Sequence, residues 1–566
     1  MKRWKIALII LCIGVACAYL ATLPLLQHST YISNHGDINR GLIFAGVARQ
    51  AVLSGELPLW NPYTCGGSPM LADVESWFLQ PFFFLTLPLN ELVAMKISYT
   101  LTLLSVFLGF TLLGRKVLRF QLLGAVTFGF ILSFGGYLSQ HLAEGYYVWG
   151  SMAWVPWFLL AGMLSIRKPR YIFLAGLMLV FMFGAGSMHM VVYSLLFLGL
   201  VTLFQTSPIT MRRRGAILIG IILWFAILAS IKLLPALSIL ETNESRLGFT
   251  PPVTLLPQML FARGILPPLH HGDIVYRWGE FGTYIGFVSI VLVCAGLVCK
   301  RQRIWIQYRE FLIASVLMLV LAFTSFPITH GVLSNIMDLF RMPSRLMIFP
   351  LIGLSILAAR GMDVISSNKR RLSLAIALLL LLAVDLISND YQIFSRTFSI
   401  PLPELHIETI FMRVKRSYST PDDTYYRAAY VDYRENRGVN DLCRFYQRTP
   451  STSAINGSLR KKVDRGEVYV SDAAAGSVEL LSRNPQQLTI AANIQTATSL
   501  MVNMNYYSGW NTKEGFPVHE QDGLIAVALP PGEHKITLVY APSVVFWGAL
   551  ISSVGMLVGI FWFFRR

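Results

Sequence analysis

Apolar stretches of roughly twenty residues, most of them ended by a tight basic cluster, recur along this chain and leave it few ways to fold. A helix of that length crosses the hydrocarbon of a bilayer and satisfies its own backbone polar groups. The 566 residues are 54% hydrophobic and only 14% charged, against about 25% charged in a soluble domain. The chain therefore reads as a polytopic α-helical membrane protein in the lipid bilayer. A net charge of +17 would point to nucleic acid in a soluble chain. Here the basic residues sit between apolar runs, so they read as orienting stops and no nucleic-acid partner is expected.

The spans fall at about 6–26, 93–113, 120–137, 150–166, 171–187, 189–205, 215–236, 281–299, 310–326, 345–360, 372–388 and 543–564. With these twelve, one side collects Lys2, Arg3 and Lys5, Arg115 with Lys116, and Arg167 with Lys168. It also collects Arg212 to Arg214, Lys300 with Arg301 and Arg303, Lys369 to Arg371, and Arg565 with Arg566. That is the cytoplasmic side, so both termini lie inside a cytoplasmic membrane. The long connections, about 27–92, 238–280, 327–344 and 389–542, then face outward, and chemistry is expected there. The apolar stretch after MKRWK is too long for a cleaved signal and lacks a small-x-small site, so it reads as an uncleaved first span.

Three parts follow. Residues 1–388 form the transmembrane region with a long first outer loop at 27–92, residues 389–542 an extracytoplasmic domain, and 543–566 a final transmembrane helix. Within the second part SVELLSR, QQLTIAANI, SLMVNMNYY, GLIAVALP and HKITLVYAP alternate with period two, separated by turn residues such as Asp522-Gly523 and Pro531-Gly532. That pattern is antiparallel, most simply a small β-sandwich. Tyr506, Tyr507 and Trp510 are expected in its core or at a membrane rim, with stacking on sugar rings as the alternative. The six cysteines make no metal-ligand pattern, and Cys65 and Cys443, both outside, leave a disulfide open.

The first outer loop is the densest in chemistry. Asp37 and Arg40 stand in HGDINRG at its head. GLIFAGVARQAVLSGELP has helical apolar spacing and is expected to lie along the membrane surface. PLWNPYTCGGSPMLADVESWFLQP is expected to be an ordered loop with interfacial Trp and Tyr anchors, and it offers Asp73 and Glu75. A carboxylate at this boundary suits proton removal from an incoming hydroxyl, and it suits a helix cap equally well. His141 and Glu144 would share a helix face. His270, His271 and Asp273 lack further ligands for a metal and read as exposed loop side chains.

These stretches, with the segment from Glu280 through FGTYIG, FRMPSRLMIF, LAARGMD and the NYYSGW ending, resemble the bacterial YfhO-type membrane protein family. That family falls in the GT-C class of polyprenyl-phosphate-sugar-dependent glycosyltransferases. The resemblance implies a GT-C-like fold and a membrane glycosyltransferase that moves one sugar, with inversion, from a polyprenyl-phosphate donor to an extracytoplasmic cell-envelope acceptor. It assigns the general base to Asp37. Arg341 and Arg345 in FRMPSR, with Arg40 and Lys232, are then candidates for the leaving phosphate, since arginine forks match phosphate oxygens. Asp73, Glu75 and Glu280 are candidates for supporting or acceptor-binding roles. So is His189, in GAGSMHM, where the class has a Gly-His-Pro-like turn. No cofactor is required by the residues; a divalent cation bridging Asp37 and the donor phosphate is left open. The alternatives are a lipid-linked saccharide transporter and a non-catalytic envelope scaffold.

Overall fold

Continuous apolar helix formers, broken at a few Gly, Pro and Ser positions, give a helical bundle followed by a β-sandwich and one last helix. The structure is a computed structural model that describes residues 3–33, 36–63, 66–206, 210–239, 251–271, 274–298, 301–323, 342–401, 411–412, 438–439 and 466–565. Helices α1 (Arg3–Gln27), α2 (Gly36–Leu53), α3 (Glu91–Lys116), α4 (Leu122–Phe134) and α5 (Gly136–Ala143) come first. Then follow α6 (Val155–Ser165), α7 (Tyr171–Gly184), α8 (Met188–Phe204), α9 (Met211–Leu228) and α10 (Ser230–Ser238). The short α11 (Leu256–Phe261) precedes α12 (Phe287–Val298), α13 (Arg301–Ala322), α14 (Ile348–Ser366), α15 (Leu372–Phe394) and the final α16 (Ser543–Phe564).

Among the described residues seven helical stretches are long and apolar enough to cross a membrane, and eight if α9 and α10 count as one span. Helices α7, α8 and α12 are apolar but shorter. Every expected span overlaps a helix, while a crossing for each of the twelve remains an inference from the charge pattern. Helices α9 and α10 meet at Ala229 with a bend of 80°. The Ser230 hydroxyl donates back to the Ala226 carbonyl, and the freed Ile231 N–H donates to the Ser552 hydroxyl of α16. The break is thus satisfied by a neighbouring helix, as hydrocarbon surroundings require.

The period-two segments form two four-stranded antiparallel sheets. With β1 (Val468–Val470), β2 (Gly476–Asn484), β3 (Gln487–Ile494), β4 (Thr498–Asn505), β5 (Trp510–Thr512), β6 (Val518–Gln521), β7 (Leu524–Leu529) and β8 (Gly532–Tyr540), the orders are β2-β3-β8-β5 and β6-β7-β4-β1. Ile490, Leu500, Val502, Ile525, Val527, Ile536 and Leu538 fill the space between them, which is why β3 and β8 alternate, whereas β4 and β7 are buried on both faces.

Two expectations for the first loop are corrected. The 41–58 stretch is helical as far as Leu53, but it does not lie with one face in the headgroups. From Ile38 to Ala48 every residue of α2 is buried in protein. Trp60 is no interfacial anchor either. It is fully buried in the sandwich core, with its ring 5.0 Å from Trp510, 4.9 Å from Tyr540 and 5.6 Å from Tyr507. Tyr507 and Trp510 are core residues accordingly.

Candidate active site

Asp37 stands in the first turn of α2, where the helix's positive end favours a carboxylate. Arg40 lies three residues on and therefore on the same face. Its guanidinium donates to Asp73 at 2.9 Å and to Glu75, and it covers the Phe44 ring at 5.0 Å. Only 6% of the Arg40 side chain is exposed, against 23% for Asp73 and 38% for Glu75. So α2 and the 73–75 segment, far apart in sequence, form one charged wall.

That wall is held from behind. Lys232, completely buried on α10, donates to the carbonyls of Ser76 at 2.8 Å, Val74 at 3.1 Å and Phe183 at 3.1 Å. An ammonium has three donors. All three are spent on main chain, so the expected phosphate-binding role gives way to a positioning one. Gly184 and Gly186, in the turn between α7 and α8, complete the seat. A methyl group at Gly184 would meet the Leu79 carbonyl at 2.0 Å, and one at Gly186 (φ +86) the Glu75 carbonyl at 2.5 Å. The GAGS sequence is what allows the two backbones to touch.

A second wall is built from Glu280, in a turn before α12, and Arg345, just before α14. Arg345 is bidentate to Glu280, through Nε at 2.9 Å and Nη2 at 2.5 Å. Burial pushes the Glu280 carboxyl up, but the adjoining guanidinium overrides it and holds the pKa down at about 2. Arg345 also lies over the rings of Tyr146 at 5.4 Å and Trp149 at 6.0 Å. Its carbonyl accepts from the Tyr137 hydroxyl at 2.6 Å, and the Tyr137 carbonyl is bonded by His141 Nδ1 at 2.7 Å. Among the described residues no hydrogen bond uses Arg345 Nη1.

Tyr146 joins the two walls. Burial raises its phenol pKa well above the ordinary value, and its neighbours Glu280 and Asp37 raise it further while Arg345 opposes them. Its hydroxyl donates to Glu280. Tyr146, His189, Arg345 and Asp37 lie deep in the protein yet stay partly exposed, Arg345 by 23% of its side chain, so they border a recess rather than a packed core. His189 is in the first turn of α8, 3.2 Å from the Ser187 hydroxyl and edge-on to Trp149 at 5.1 Å. The structure therefore groups Asp37, Arg40, Asp73 and Glu75 on one side, Glu280 and Arg345 on the other, and His189 beside the second. Arg341 lies outside the described residues, as do Cys65, Cys443 and Asp273.

The aromatic bridge of Tyr137, Tyr146 and Trp149 was not singled out from the sequence. Its only signal is the density of rings in YLSQHLAEGYYVWG. Among the described residues no three His, Cys, Asp or Glu side chains converge as a metal site. Asp73 and Glu75 each give an oxygen to Arg40.

No protein-family model matches the chain, and no curated protein matches it either. Among solved structures it is similar to the mycobacterial arabinofuranosyltransferase AftD, at 15% identity and a TM-score of 0.45. The match covers 70% of this chain and 27% of that one. A mutant form of the same enzyme is similar at 16% identity and a TM-score of 0.38, over 69% of this chain and 28% of the other. The matched region thus corresponds to about a quarter of AftD's length, and likeness at this level carries no functional argument.

Proposed function

We propose that this chain is a membrane glycosyltransferase. It transfers a sugar from a polyprenyl-phosphate donor to a hydroxyl of an extracytoplasmic cell-envelope glycan or polymer, with inversion at the anomeric carbon. The observation that carries the reading is the grouping of a carboxylate on one wall with an arginine on the other, its Nη1 unused among the described residues, with Tyr146 between them. Asp37 takes the acceptor proton as the acceptor oxygen bonds to the anomeric carbon. The bond from that carbon to the phosphate oxygen breaks, and its electron pair leaves with the lipid phosphate. Arg345 meets the charge that develops there through Nη1, with Arg341 as a further candidate. Glu280 holds the guanidinium plane. Arg40 and Lys232 keep Asp73 and Glu75 in place, where they are suited to bind acceptor hydroxyls, and His189 is suited to face the sugar.

The test is sugar transfer from a labelled polyprenyl-phosphate donor in purified membranes. Asp37→Asn is expected to lower transfer roughly 10²–10⁴-fold, the usual share of general-base help. Undiminished transfer by a well-folded variant would remove the assignment.

One observation favours a transporter as the second reading: the bent pair α9 and α10, since discontinuous helices line substrate sites in transporters. The bend ranks second because its buried charges among the described residues, Arg214 and Lys232, are bonded to the main chain. Movement of lipid-linked saccharide across vesicles with no glycosidic bond formed would reverse that order.

A further inference from the structure

A polar cavity lies where α15 ends and the connection after α11 folds over it. It encloses about 210 Å³ and is lined by Arg263, Gly264, Ile265, Gln392, Ser395 and Arg396. Its floor is fixed. The Gly264 N–H donates to Asn389 Oδ1 at 2.9 Å, and the Gly264 carbonyl accepts from the Gln140 amide. Both Asn389 and Gln140 are buried. Arg263 donates to the Ser388 hydroxyl at 2.6 Å and stands 3.5 Å from Asp385. That aspartate is already served by the Tyr284 hydroxyl, at 2.8 Å and 2.9 Å, and by the Phe287 N–H at 3.2 Å. It therefore neutralises Arg263 only in part, and Arg396 is exposed with no acidic partner among the described residues.

Depth decides what such a cavity meets. Ser395 and Arg396 follow directly on a span that ends at Phe394, so they sit at the level of lipid headgroups. Phe261 and Tyr391, close by in sequence, expose their rings by 38% and 41%, as side chains facing acyl chains do. Two guanidinium groups, an amide and a hydroxyl at that level match the oxygens of a phosphate ester.

We propose that the Arg263–Arg396 cavity binds the phosphate of an anionic lipid headgroup, as a site separate from the recess. The lipid holds the end of α15 against the 263–265 segment, and it undergoes no reaction there.

The full-length protein in nanodiscs of equal phosphatidylglycerol and phosphatidylcholine, examined by native mass spectrometry, tests this. Wild type is expected to retain phosphatidylglycerol over phosphatidylcholine by about tenfold, in line with two basic groups near a membrane surface. Arg263→Gln with Arg396→Gln is expected to lose the preference, and the double Lys variant to keep most of it. Equal retention of both lipids by wild type overturns the proposal, as does an unchanged preference in the double Gln variant. Inorganic phosphate that displaces the lipid at submillimolar concentration would mark a site for soluble phosphate instead, and overturn it as well. Unchanged melting temperatures for the variants separate loss of binding from loss of fold.

Discussion

The two walls of the recess both rest on an arginine, and they use it in opposite ways. Arg40 is shared between Asp73 and Glu75, with Asp37 one turn away, so acid is in excess there. Among the described residues Arg345 has a single acid, Glu280, gripped in the plane of the fork, with aromatic rings on its face and Nη1 uncommitted. An acid-rich wall suits removal of a proton. A neutral wall with an unspent donor edge suits arrival of negative charge. The difference shows that an arginine in a site is defined by how many of its donors are committed, and not by its charge alone.

The largest expected effect tests that division. Asp37→Asn should abolish most transfer while leaving the melting temperature nearly unchanged, because asparagine keeps the shape of a half-buried side chain in the first turn of a helix. Next is the neutral wall. Glu280→Gln takes the charged partner from a guanidinium only 23% exposed and should cost about 1–3 kcal/mol of stability, with much of it recovered in Glu280→Gln combined with Arg345→Gln. Thermal unfolding in detergent reads both variants. If the single and double variants unfold alike, the pair does not act as a unit. Lys232→Met should follow, at about 1–3 kcal/mol, because buried carbonyls at Val74, Ser76 and Phe183 lose their donor. It should also weaken acceptor use without shifting the pH profile of transfer, which would separate positioning from proton chemistry.

The smallest effect is a pH dependence. Glu280 has its pKa lowered from 4.5 to about 2, so its stabilising contribution is fully present above about pH 4.5 and is lost as pH falls towards about 2. Glu280→Gln should flatten the melting-temperature curve across that window. A variant with the same slope as wild type would show that other carboxylates govern acid unfolding.

Much of the architecture was legible because hydropathy and period-two alternation are local signals. The helices fall on the apolar runs, and β2, β3, β4, β7 and β8 fall on the alternating segments, while the short β5 and β6 lie between them. What failed was local in a different way. GLIFAGVARQAVL has the spacing of a surface helix, but spacing cannot tell lipid from protein as the apolar neighbour, and α2 is covered by protein. Trp60 beside Pro and Tyr looks like a membrane anchor, because nothing near it in sequence announces a sandwich core. Lys232 was conspicuous as a charge within an apolar helix, while its acceptors are carbonyls, which every residue has and no sequence distinguishes. The juxtaposition of Asp73 and Glu75 with Arg40 depends on the Gly184 and Gly186 contacts, which are legible only once both backbones are seen together.

Trp60 has a consequence for how the protein is made. The sandwich core needs a ring supplied by the first outer loop, and main-chain hydrogen bonds seal the join: the Asn505 N–H to the Gly66 carbonyl at 2.7 Å, and the Asn505 side-chain amide to the Gly67 carbonyl, 438 residues away, at 3.0 Å. A ribosome that has finished the opening helix must therefore thread most of the bundle before this indole finds its socket. Until then the loop waits with a large bare ring, so early arrest of synthesis should leave a product that chaperones or proteases recognise. The first outer loop is therefore fully packed only once the last strands have formed.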